Sequence, residues 1–346
     1  MWIAGAVGTG LRLIAAIARG RGVPFQVTLS VTNRCNKTCA YCSIPNLAVP
    51  EMGTDEWRTI MNRLREAGTR RVLFFGGEPL LREDILELVT HARSIGLRAG
   101  MTTNGSLVPQ RADVIRQLDS LAVSLDGSPD SHDRIRGKGS HEQALKAVEV
   151  AMEYRVPVKV NAVLCADNGK DLEWLLDFSD KRGLPLVLNI LRSEETGLHR
   201  DAARHRLDNE SVRELLDTVA RVRRDHPQIF FSRYTYETVR KWPDYTLDRL
   251  TRRQHLKAAG PPCSAGRFHG FVSAEGRLYP CVLTAGLVPA LNILQDGLGA
   301  AMAQAASHDC IACSSPCMVE INAAFALHPR VIARHLSAFF RKRRIN

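Results

Sequence analysis

The sequence predicts an α/β fold, a partial barrel of six strand–helix units followed by a small cysteine-bearing module. Three observations carry this expectation. From residue 25 to about 191, short β-rich runs alternate with segments of helical periodicity. Glycine-bearing polar motifs fall just after those runs, where parallel α/β folds keep their chemistry. Five of the nine cysteines cluster in the last quarter of the 346 residues, behind a stretch with few strand signals.

The elements follow in order. Phe25–Val31 reads as a strand leading into a loop with Cys35, Cys39 and Cys42. Thr54 can cap a helix carrying Trp57, Ile60, Met61 and Leu64 on one face. Arg71–Phe75 is a second strand ending in Gly76-Gly77-Glu78-Pro79, and Ile85, Leu88, Val89 and Ala92 mark a helix that Gly96 ends. Further strands lie near Leu97–Thr102, Leu121–Leu125, Val158–Leu164 and Leu186–Leu191, with helices near Ala112–Leu118, Gln143–Glu153 and Leu172–Lys181. One helix between successive strands describes parallel βαβ units. Thr103-Asn104-Gly105 and Asp126-Gly127 close the third and fourth strands. The organisation predicted is a basic amphipathic helix at 1–22, the core at 23–192, and a helical connector at 193–260 with an amphipathic Val212–Val222. A cysteine module at 261–320, with a hairpin over Phe271–Tyr279 turning at Glu275-Gly276, and a basic amphipathic tail at 321–346 complete it.

Composition narrows the function class. A formal charge of +11 points at first to nucleic acid, but nine of those charges lie in residues 1–22 and 321–346, which hold no acid. The body between them is nearly neutral, so no nucleic-acid partner is expected. The first residues make a poor signal sequence, no apolar run spans a bilayer, and nine cysteines without a signal fit metal-bound thiolates in a reducing cytoplasm.

Cys35-x3-Cys39-x2-Cys42 offers three soft ligands on one loop, where a structural zinc site wants four. Three thiolates on a four-iron cluster leave one iron open for a ligand. The stretch from Val31 to Cys42, Phe75-Gly76-Gly77-Glu78-Pro79, Thr102-Thr103-Asn104-Gly105 and Ser124-Leu125-Asp126-Gly127 together resemble the radical S-adenosylmethionine (SAM) enzymes. The resemblance implies a TIM-like partial barrel of the radical SAM type over residues 25–191. It also implies a 4Fe-4S cluster on Cys35, Cys39 and Cys42 whose open iron chelates SAM. Gly76 and Gly77 would let backbone approach the methionine part, with Pro79 stiffening the turn. Glu78 would fix the loop and meet the ammonium. Asn104, Ser124 and Asp126 would contact ribose or carboxylate, and Tyr41 the adenine side. Arg134 or Arg136 would pair with a SAM or substrate carboxylate, or sit in solvent on a loop.

Cys263, Cys281, Cys310, Cys313 and Cys317 take no part in that core. Two cysteine pairs suit zinc, but Cys263-Ser264-Ala265-Gly266 and the run Val272–Cys281 resemble the SPASM/twitch extension behind radical SAM cores. That resemblance implies an auxiliary 4Fe-4S cluster on Cys263, Cys281, Cys310 and Cys313, with Cys317 replacing one of them or serving in chemistry. Cys165 reads as a buried structural thiol.

The expected activity is reductive cleavage of SAM to a 5′-deoxyadenosyl radical that takes hydrogen from an unactivated C–H bond, with a flavodoxin- or ferredoxin-type reductant. Ile3, Val7, Leu11, Ile14 and Ala18, and Ile332, Leu336, Phe339 and Phe340, form apolar stripes beside arginines, so both ends either lie on an anionic membrane or pack on the barrel with their arginines in solvent. If the ends bind membrane, a lipid or isoprenoid substrate at the inner face of the cell membrane is expected. Rivals are a sugar or aminocyclitol dehydrogenase or epimerase, a peptide-maturation enzyme, for which no leader-binding domain is expected before residue 25, and a zinc protein binding nucleic acid.

Overall fold

A computed structural model describes residues 22–192, 202–254 and 260–342. The amphipathic helix expected at 1–22 lies outside them, except for Gly22. Six strands, β1 (Gln26–Thr32), β2 (Arg71–Gly76), β3 (Arg98–Thr103), β4 (Ser120–Ser124), β5 (Val158–Leu164) and β6 (Leu186–Ile190), pair in parallel in chain order. Between them run α1 (Thr54–Glu66), α2 (Ile85–Ser94), α3 (Ala112–Ile115), α4 (Pro129–Arg136), α5 (Ser140–Glu153) and α6 (Leu172–Arg182). Period two decides the packing of β2: Val72 and Phe74 are fully buried in the core that holds Trp57, Ile60 and Leu64 of α1, while Arg71, Leu73 and Phe75 alternate with them.

α4 is an addition to the expected plan. Residues 129–136 read as part of a loop because two turns are too short to show periodicity, yet Pro129 starts a helix that buries His132, Ile135 and Arg136. The connector carries α7 (Ala202–His205), α8 (Asn209–Val222) and α9 (Arg233–Arg240). Asp208 caps α8 by accepting from Ser211 N at 2.8 Å.

The cysteine module is joined to the barrel. The expected hairpin forms, with β8 (His269–Val272) antiparallel to β9 (Arg277–Tyr279), and β8 lies parallel against β1. With β10 (Leu291–Asn292), the sheet runs β10-β9-β8-β1-β2-β3-β4-β5-β6 across the predicted boundary at 261. A separate antiparallel pair joins β7 (Arg249–Thr251) of the connector to β11 (Cys310–Cys313), which comes after α10 (Leu298–Ala306) in the chain.

α11 (Pro316–Phe325) bridges the two ends of the barrel sheet. On the β1/β8 side, Asn322 Oδ1 accepts from Ser264 N at 3.0 Å, and the Phe325 ring stacks on Phe268 at 5.2 Å. On the β6 side, Glu320 accepts from Ser232 N at 3.0 Å and from Thr235 Oγ1 at 2.5 Å. The basic tail becomes α12 (Pro329–Lys342), which docks on the body through buried Val331. Arg334 donates to Ile229 O at 3.1 Å and His335 pairs with Glu320 at 2.9 Å, whereas Leu336 stays 52% exposed. Among the described residues no helix is long and apolar enough to cross a membrane.

Candidate active site

The loop bearing Cys35, Cys39 and Cys42 leaves the end of β1 and is tied at both sides. Thr32 Oγ1 donates to the Glu51 carboxylate at 2.9 Å, and Asn33 N donates to Glu51 Oε1 at 2.7 Å. Ala40 N donates to Ile135 O of α4 at 2.9 Å. Burial pushes the Cys42 thiol up to about 11 and raises that of Cys35, so these sulfurs become thiolates when a cation replaces their protons.

The Gly-Gly turn after β2 meets this loop backbone to backbone. Gly77 N donates to Thr32 O and Glu78 N to Arg34 O, each at 2.8 Å. A Cβ on Gly77 would stand 2.2 Å from Arg34 O, and one on Gly76, whose φ is +142°, would stand 2.1 Å from Thr32 O. The need for glycine expected from ligand approach is thus also imposed by the cysteine loop itself.

Glu78 is fully buried and joins the motifs after β2 and β3. It accepts from Thr103 Oγ1 at 2.8 and 2.9 Å, from Asn104 N at 2.8 Å and from Leu80 N at 3.1 Å. Burial nevertheless pushes its carboxyl up to about 7. Asn104 Nδ2 lies 3.8 Å from Cys35 Sγ and donates to Asn36 Oδ1 at 2.9 Å. Pro79 and Ser124 are buried at their strand ends, Ser124 in register with Asn161 of β5.

After β4, Asp126 is fully buried with its carboxylate filled from this chain. Arg136 Nε approaches Oδ2 to 2.5 Å, Tyr41 OH donates to Oδ2 at 3.1 Å, and Val163 N donates to Oδ1 at 3.0 Å. Burial pulls this carboxyl upward, and the Arg136 guanidinium outweighs it, holding the group below the usual range. Arg136 also reaches Tyr41 OH at 3.0 Å and Cys39 Sγ at 3.9 Å. It is therefore a buried helical residue and not a solvated loop arginine. The exposed side belongs to Arg134, which donates to Asp167 O at 2.8 Å. Cys165 is buried beside Tyr41.

In the C-terminal part, Cys263, Cys281, Cys310 and Cys313 line one pocket together with Arg249, His308 and Asn322. β11 supplies two of them, β9 leads into Cys281, and Cys263 N donates to Ile311 O at 3.2 Å. Burial pushes the Cys281 thiol up to about 12 and that of Cys313 higher still. Four thiols lining one pocket suit a cluster ligand set. Cys317 does not line that pocket. It sits on α11 near Lys159, whose amine is lowered to about 8 by burial and by Arg71.

Residues 29–179 match the family model described as the Radical SAM superfamily. Residues 29–179 form a radical SAM domain. Members of that superfamily use a 4Fe-4S cluster and SAM. A PqqA peptide cyclase of Bradyrhizobium diazoefficiens is 33% identical over 166 residues, covering 46% of this chain and 44% of that protein. An Fe-coproporphyrin III synthase of Methanosarcina barkeri is 30% identical over 168 residues, covering 46% and 42%. The chain spans about half the length of the curated relatives it matches. Among solved structures, Streptococcus suis SuiB bound to S-adenosylmethionine aligns with a TM-score of 0.62 at 17% identity, covering 80% of this chain and 65% of that one. This last likeness is one of fold.

Two residues of the site carry no motif in the sequence. Glu51 stands beyond the cysteine loop in a Pro-Glu-Met stretch, and Arg249 lies in the connector; only the folded chain brings them to Asn33 and Cys310.

Proposed function

We propose that this radical SAM enzyme binds a 4Fe-4S cluster on Cys35, Cys39 and Cys42 and SAM beside it, and abstracts hydrogen from an unactivated C–H bond of its substrate. When bound, the pair supplies the chemistry: one electron cleaves SAM to methionine and a 5′-deoxyadenosyl radical, which becomes 5′-deoxyadenosine on taking the hydrogen. The observation that carries the reading is the Glu78 carboxylate, which locks Asn104 against Cys35 and so gathers the motifs after β2 and β3 around the cysteine loop after β1. Gly76 and Gly77 shape the turn at this loop. Asp126, Arg136 and Tyr41 hold the loop from beneath, which favours a positioning role for them over direct contact with ribose or adenine. Cys263, Cys281, Cys310 and Cys313 would hold an auxiliary 4Fe-4S cluster, and the reductant would be a flavodoxin or ferredoxin. Anaerobic iron analysis should return about eight irons, four for each cluster. Reduction with SAM should yield 5′-deoxyadenosine. Zinc without iron, or no nucleoside, would overturn the reading.

A membrane-held lipid or isoprenoid substrate is the finer reading. The amphipathic α12, with Leu336 exposed, and the basic surplus of both tails support it. Flotation of the full chain with anionic vesicles, and its loss on deleting residues 1–22 and 328–346, tests it; equal flotation after deletion counts against it. A peptide substrate is the second reading, favoured by the likeness to the PqqA peptide cyclase.

A further inference from the structure

We propose that Arg249 sets the reduction potential of the auxiliary cluster, holding it in a range where an added electron is accommodated, with Arg192 acting in the same direction from the barrel side. The proposal rests on the reading that Cys263, Cys281, Cys310 and Cys313 hold that cluster. Arg249 opens β7, stands across from Cys313 in the β7–β11 register, and lines the pocket. Its Nη1 donates to Cys310 Sγ at 3.4 Å. Asp309 Oδ1 lies 4.0 Å from the same Nη1, so the guanidinium is shared between a carboxylate and a ligand sulfur. Arg192, just past β6, is buried, donates to Leu283 O at 3.3 Å and pairs with Asp248 at 3.6 Å. Leu283 lies two residues past Cys281, so this guanidinium stands behind the turn that carries that cysteine. Asp248 and Arg249 are consecutive, and Ser314 N donates to Asp248 O at 3.0 Å. One dipeptide thus ties the end of the barrel to the cysteine strand.

The chemistry follows from charge. Four thiolates already carry negative charge, and reduction adds one more to the same small volume. Hydrogen bonds to the sulfurs and the local net charge are the means by which a protein shifts such a potential. Arginine keeps its charge at every working pH and aims a rigid fork of donors, so it stabilises the reduced form more than the oxidised one. Arg253, exposed two residues past β7, is screened by water and lacks a sulfur contact among those described.

The test is an anaerobic redox titration of the full, cluster-loaded chain followed by electron paramagnetic resonance, with SAM added to distinguish the SAM-binding cluster. In Arg249→Gln the reduced-to-oxidised ratio of the auxiliary cluster at fixed poise should fall about tenfold, the size of a lost charge-assisted hydrogen bond. Arg249→Lys should fall between the two, and Arg253→Gln should titrate with the wild type. An unchanged potential in Arg249→Gln at full iron content overturns the proposal, as does an equal shift in Arg253→Gln. If Arg249→Gln loses iron, Arg192→Gln decides, a shift in the same direction supporting the proposal and none overturning it. A wild type with about four irons and a single signal removes the auxiliary-cluster reading itself.

Discussion

Arg136 and Asp126 form a buried ion pair, with Nε 2.5 Å from Oδ2, that fastens α4 to the end of β4 directly beneath the cysteine loop. Tyr41 bonds to both partners and Arg136 approaches Cys39, so the pair transmits the position of the barrel to the loop. Removing one member leaves the other charged and uncompensated in the interior. Arg136→Met should cost about 3–5 kcal/mol in anaerobic urea unfolding, and adding Asp126→Leu should recover much of it. A single variant as stable as the wild type would show that the pair is dispensable.

Gly77→Ala places a methyl group 2.2 Å from Arg34 O. Backbone cannot give way as a side chain can, so the turn or the cysteine loop must shift. The expected outcome is a folded chain with loss of 5′-deoxyadenosine formation and of about four irons. Retained iron with lost nucleoside formation would assign Gly77 to the SAM side alone.

Glu78 gives stability a pH dependence. Its carboxyl stands at about 7 in the fold against an ordinary 4.5. A value raised on folding stabilises fully below the unfolded value, and the gain is lost as pH rises through the folded one. Melting temperature should therefore decline between about pH 4.5 and 7 in the wild type by a step that Glu78→Gln lacks, measured as parallel thermal melts. Identical profiles would mean that the surrounding donors keep Glu78 ionised throughout.

Cys317 and Cys313 should separate cleanly. Cys313 lines the pocket and Cys317 lies outside it near Lys159. Cys313→Ala should lose about four irons, and Cys317→Ala should keep all of them. Iron loss in Cys317→Ala would return that residue to the ligand set.

Much of this arrangement is written in local pattern. The alternation of Val72 and Phe74 with their neighbours, the stripe from Trp57 to Leu64 and the spacing of Cys35, Cys39 and Cys42 each depend on residues a few positions apart, and such signals survive in a bare sequence. α4 is hidden by its two turns, and Arg136 looks like a loop cation because its partner is ten residues back across a strand end. Neither the β8–β1 pairing nor the approach of Glu51 to Thr32 leaves any local mark, because both are decided by the closing of the tertiary fold. The same holds for Cys317, whose spacing from Cys313 resembles a ligand motif while α11 carries it to the other side.

The pairing of Gln26 with His269 sets an order of events during synthesis. About 240 residues separate them, so at 5–20 residues per second roughly ten to fifty seconds pass after β1 leaves the ribosome before its second neighbour exists. For that interval β1 is an open edge, with unpaired amides beside a freshly made cysteine loop, and edges of this kind invite pairing with other chains. Premature termination before His269 would leave that edge exposed permanently, so such fragments should be cleared or aggregate instead of persisting as smaller barrels.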